Sequence, residues 1–108
     1  GYVKDAKVAS AKAVITTITN SEKVHRQRTG SFVNVTSGEF EGDPDTNPLG
    51  IDIRDSTQFW TLSVTDATDA IFNVTATGKA GSDYADTTVT FSYDVAGDDT
   101  WEIDGQIQ

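Results

Sequence analysis

Two hydrophobic periods divide this chain, and together they decide what it can fold into. Val8, Ala11, Val14, Ile15 and Ile18 recur at three- and four-residue spacing, which puts them on one face of a helix. From Phe59 onward the period is two. Trp60, Leu62 and Val64, then Phe72, Val74 and Ala76, then Val89, Phe91 and Tyr93, then Trp101 and Ile103 alternate with polar residues. That is the pattern of strands with one apolar face. Such a sheet needs a cover, and the only amphipathic helix available is the first element. The expected fold class is therefore α+β, an N-terminal amphipathic helix packed on a four-stranded antiparallel sheet.

The punctuation between these runs sets the boundaries. The helix is expected to continue through Lys23 to Arg28, with Gly30 where a left-handed cap is wanted. Lys23, His25, Arg26 and Arg28 place cationic or basic groups at the negative end of the helix dipole. At the other end the capping signal is thin, since the first plausible cap, Asp5, already lies inside the pattern. Four short strands cover about a dozen helical residues, so the turns around Tyr2 to Ala6 are expected at or beyond the sheet rim. Residues 31–58 hold both prolines and many breakers, and read as an irregular excursion pinned by Leu49, Ile51 and Ile53. "TDATD", "TGKAGSDYAD" and "VAGDD" read as turns between antiparallel strands. The chain thus divides into a helix at 1–29, a connecting loop at 30–58 and a sheet at 59–108, within one domain of 108 residues.

Charge is unevenly spread. Residues 1–28 carry Lys4, Lys7, Lys12, Lys23, Arg26 and Arg28 against Asp5 and Glu22, a net +4, while the other 80 residues carry a net −13. A basic helix on an acidic body invites head-to-tail attraction between copies, and these six cations are the candidate subunit contacts. The overall charge of −9 argues against general binding of nucleic acid, whose phosphates demand Lys and Arg. His25, alone on a basic turn with no partner fixed by spacing, reads as a helix-end surface residue. With no cysteine, a single histidine and a core filled by aromatics, nothing points to nucleophilic catalysis, and no enzyme is expected. "GKAGSDYAD" lacks the second half of a phosphate loop and reads as a hairpin turn. Asn34-Val-Thr and Asn73-Val-Thr are formal glycosylation sequons of the kind common in Thr-rich strands. No stretch approaches the roughly 18 consecutive apolar residues of a membrane span.

Four segments taken in order, "YVKDAKVASAKAVITTI", "NSEKVHRQRTGSF", "NPLGI" and "FNVTATGKAG", resemble the globular domain of type IV pilins and of the pseudopilins of type II secretion. The likeness covers essentially the whole chain. It implies an apolar first half of the helix ahead of Tyr2, anchored in the inner membrane before assembly and then packed in a fibre core. It further implies a structural subunit of a bacterial surface filament or periplasmic pseudopilus, with other copies or other pilin-like subunits as partners. No cofactor is implied in general, although major pseudopilins often bind calcium near the C-terminus. "DVAGDD" and "EGDPD" offer oxygen ligands here, but neither has the spacing of a known calcium loop. Two departures stand out: no cysteine closes a C-terminal loop, and Phe32 is followed by Val33 where many members have proline. Two alternatives belong to other classes. One is an adhesive or DNA-binding minor pilin using "KVHRQR" on phosphates; the other is a small binding or inhibitor module with a cystatin-like helix on a sheet.

Overall fold

Alternation at period two becomes five antiparallel strands, one more than the four expected, in a computed structural model of the chain that describes residues 2–108, with side chains from residue 4. The strands are β1 (Trp60–Thr65), β2 (Ile71–Gly78), β3 (Thr88–Asp94), β4 (Thr100–Ile103) and β5 (Gln106–Ile107). They lie in the order β1-β2-β3-β4-β5, each antiparallel to the next. The fifth strand overturns the four-stranded expectation. Asp104 and Gly105 both have positive φ, at 52° and 86°, the backbone of a two-residue hairpin turn that an Asp-Gly pair favours. Ile103 then pairs with Gln106 and Glu102 with Ile107. Two residues are too few to display alternation, so the period could not reveal this strand.

The helix, α1 (Tyr2–Thr29), lies across the apolar face of the sheet. At 1.5 Å per residue its 28 residues measure about 42 Å, the same as the 40 Å long axis of the molecule. Its buried stripe is Val8, Ala11, Val14, Ile15 and Ile18, packed with Trp60, Leu62, Val64, Phe72, Val74, Ala76, Val89 and Phe91 from the sheet. Fully burying a Val, Leu, Ile or Phe side chain contributes about 1.5–3 kcal/mol. The Trp60 indole N–H, carried into this core, donates to Ser10 Oγ of α1 at 3.3 Å. The helix stops at Gly30, whose φ of 91° is left-handed and whose N–H donates to the Arg26 carbonyl at 2.7 Å.

The region expected to be irregular has structure of its own. Thr36 and Glu39 form a reciprocal cap: the Thr36 hydroxyl accepts from the Glu39 N–H at 3.2 Å, and Glu39 Oε1 accepts from the Thr36 N–H at 2.9 Å. They open α2 (Ser37–Glu41), which carries Phe40 into the core. A 3-10 turn at Pro44–Thr46 and α3 (Arg54–Thr57) follow. Buried Asn47 organises the chain between them, its Oδ1 accepting from the N–H groups of Leu49, Gly50 and Ile51. Ahead of α2, Val35 exchanges both backbone hydrogen bonds with Val64, at 3.1 and 2.8 Å. It thereby covers the outer edge of β1, an edge otherwise open to pairing.

Candidate interaction surface

Helical periodicity gives α1 a buried face, two flanks and an outer strip, and its cations fall on the flanks. Lys4 Nζ lies 2.8 Å from Asp104 Oδ2 and donates to the Asp86 carbonyl and Thr87 Oγ1, each at 3.1 Å. Lys7 Nζ lies 3.2 Å from Asp86 Oδ1. The first turns of α1 are thus tied to the sheet rim, at the start of β3 and the β4–β5 turn. Asp86 is held below the usual carboxylate range mainly by its hydrogen bond from Lys7, and Asp104 mainly by that from Lys4. Lys12 Nζ sits 4.9 Å from the centroid of the Trp101 ring and Lys23 Nζ 5.0 Å from that of Tyr93, both cation–π contacts. Arg26 Nε donates to the Asp69 carbonyl at 2.6 Å while its guanidinium covers Phe32.

Five of the six candidate contact cations are therefore engaged by their own chain. Arg28 alone of the six has no such partner among the described residues. It stands on the wall of a groove of about 340 Å³ between α1 and the connecting segment, lined by Asn20, Ser21, Val24, His25, Pro48, Leu49 and Ile51. Val24 is 53% exposed, a large aliphatic side chain left open on this flank. His25, expected as a plain surface residue, is half-buried on the same wall.

The opposite flank of α1 faces the β3–β4 side of the sheet, where Thr16, Thr19, Lys23, Phe91, Asp99 and Trp101 line a second cleft of about 320 Å³, with Asn20 on the crest of the helix shared with the groove. Beyond it lies the β3–β4 turn, built by its own acids. Asp94 Oδ1 accepts from the Ala96 N–H at 2.8 Å, Asp99 Oδ1 accepts from the Asp94 N–H at 3.0 Å, and Gly97 supplies a φ of 95°. Val95, 44% exposed, sits on this turn, and its N–H donates to the Ala70 carbonyl, next to the 41% exposed Ile71. In "EGDPD", Asp43 Oδ1 likewise accepts from the Asp45 N–H of its own turn. Among the described residues no group of three or more His, Cys, Asp or Glu side chains is arranged to hold a metal ion.

Sequence reading passed over one residue that matters. Glu22 is fully buried, its Oε1 accepting from the Val33 N–H at 2.9 Å, so that it ties α1 to the chain emerging from Gly30. Among the described residues its Oε2 and the Thr19 hydroxyl one turn earlier have no hydrogen-bond partner. Burial pushes the carboxyl up to about 7, against the lowering effect of the Val33 hydrogen bond. The signal was present: 8, 11, 15, 18 and 22 continue one apolar phase, and a carboxylate at its end has to be buried.

No family model matches this chain, and neither the curated proteins nor the solved structures yield a match.

Proposed function

We propose that this chain is a structural subunit of a filament of the type IV pilus or type II secretion pseudopilus kind. The observation that carries the reading is the relation of α1 to the sheet. One helix, about as long as the molecule's long axis, buries one face on an antiparallel sheet and is stopped at its far end by a left-handed glycine. A helix so placed has no sheet left beyond its first turns, so a continuation upstream of Tyr2 would leave the body as a free stalk. The reading assigns that stalk an apolar sequence, which lies in the inner membrane before assembly and in the fibre core afterwards. Apolar area buried between stalks would supply the assembly free energy at about 25 cal/mol per Å². Within the described residues no helix is long and apolar enough to cross a membrane, and the reading puts the anchor in the stalk.

The test is the residues encoded ahead of Tyr2, followed by electron microscopy of the full-length product. About 20 predominantly apolar residues, together with thin fibres that disappear when a charge is placed among them, would support the proposal. A polar upstream sequence, or an apolar one that yields only monomers in membranes, would sink it.

A further inference from the structure

The groove beside Arg28 and the turn bearing Val95 lie on opposite flanks of one helix. Residues 21, 24, 25 and 28 of α1 face the groove, whereas 16, 19 and 23 face the side from which the β3–β4 turn rises, and Asn20, on the crest between them, borders both. The two features complement each other. The groove has an aliphatic floor of Val24, Leu49 and Ile51 and a guanidinium without a partner in its own chain among the described residues. The turn presents an exposed Val95, bonded through its N–H to the residue before the exposed Ile71, among Asp94, Asp98 and Asp99. It is also preformed, since Asp94 and Asp99 spend their Oδ1 atoms on backbone N–H groups of the turn itself. A preformed loop gives up little conformational freedom on binding. Because α1 stands between knob and hole, one chain cannot close the contact on itself.

We propose that this groove receives the β3–β4 turn of a second copy of the chain, with Val95 seated against Val24 and Leu49 while Asp98 meets Arg28. Charge complementarity selects the occupant: residues 29–108 carry a net −13, and this groove is where a candidate contact cation remains unspent. The contact joins two different patches, so it is head-to-tail and leaves a free groove at one end and a free turn at the other. Repetition then generates an open row of subunits rather than a closed pair. The proposal deepens the filament reading by naming a contact between globular bodies, and rests on that reading for its biological sense. The contact itself requires no upstream segment.

Val24 and Val95 are both exposed, so charged replacements there leave the core untouched. Association of the 108-residue chain is to be followed by sedimentation velocity and amide chemical shifts over about 0.01 to about 1 mM, the range of weak contacts. Shifts are expected at residues 20–28, 48–51, 71 and 94–99, fading as salt is raised. Val24→Asp disables the groove and Val95→Lys the turn, and each is expected to weaken self-association by about tenfold or more. Mixed in equal amounts they should form a one-to-one complex that grows no further, because the intact turn of the first fits the intact groove of the second. Concentration-independent spectra, shifts confined to other surfaces, or a mixture no better than either variant would overturn the proposal. The two readings separate in the full-length protein. Unaltered filaments from a Val24→Asp, Val95→Lys double variant would remove this contact and leave the filament standing. Association as described with no filament from the wild type would do the reverse.

Discussion

Glu22 joins two elements by a charge that the core penalises. Unfolded, its carboxyl titrates at the ordinary 4.5; folded, at about 7. Between those values the folded chain keeps a proton that the unfolded chain has released. Its contribution is therefore fully present below pH 4.5 and is lost as pH rises through about 7. Glu22→Gln keeps an oxygen for the Val33 N–H and removes the charge. At about pH 8 the variant should be more stable than the wild type, by about 2 kcal/mol once solvent relaxation around the carboxylate is allowed for. At about pH 4 the advantage should vanish; urea titrations at both pH values decide it, and equal gains at both would refute the assignment. Gly78 is a second residue with no latitude. It pairs with Trp60 in β1, and a Cβ there would collide with the Tyr84 backbone carbonyl, which is folded back as Tyr84 stacks on Trp60. Gly78→Ala should cost on the order of 3 kcal/mol, because the obstruction is main chain and cannot swing aside. A denaturation midpoint within error of wild type would show that the loop relaxes freely.

At the scale of elements, what could be read in advance followed the length of each pattern. α1 and the four longer strands each carry enough periodic residues to declare themselves. β5, α2 and α3, at two, five and four residues, do not. Two of the missed elements had local signals of another kind: Asp104-Gly105 for the last hairpin, and Thr36 with Glu39 for the cap of α2. The cap should be worth about 1 kcal/mol, so Thr36→Ala is expected to lower the unfolding free energy, read from urea titration, by that amount. It should also raise hydrogen exchange at residues 37–41 ahead of the strands; unchanged exchange there would mean that Phe40 holds α2 without its cap. The candidate surface was less legible than the fold. That Lys4 would spend its charge on Asp104, a hundred positions along, is set by sheet order, and no local pattern encodes it. The groove was half visible, in Leu49 and Ile51 as anchors of the connecting segment. That these two residues face Val24 follows only from the Asn47-centred turn.

The whole molecule combines a net charge of −9 with a helix whose cations are mostly spent on its own sheet. Lowering the pH from about 8 to about 5 should raise the melting temperature, since Glu22 takes up its proton and repulsion among the surface acids declines. Below the ordinary Asp value of 3.8 the trend should reverse. Asp86 and Asp104, held low by Lys7 and Lys4, contribute stability above that value and lose it as they protonate. Calorimetric scans across this range test both limbs, and a melting temperature that climbs steadily with pH would contradict the role given to Glu22. The ties between α1 and the rest of the fold are spaced along its length. Asp104 holds Lys4, Trp60 reaches Ser10, Trp101 lies under Lys12, Val33 binds Glu22 and Asp69 holds Arg26. A tug applied along the helix axis would load these rungs in parallel, as shear, so that they would have to yield together. A pull at right angles would peel them one after another, and far more gently: the body is built to bear tension in the direction of its own rod.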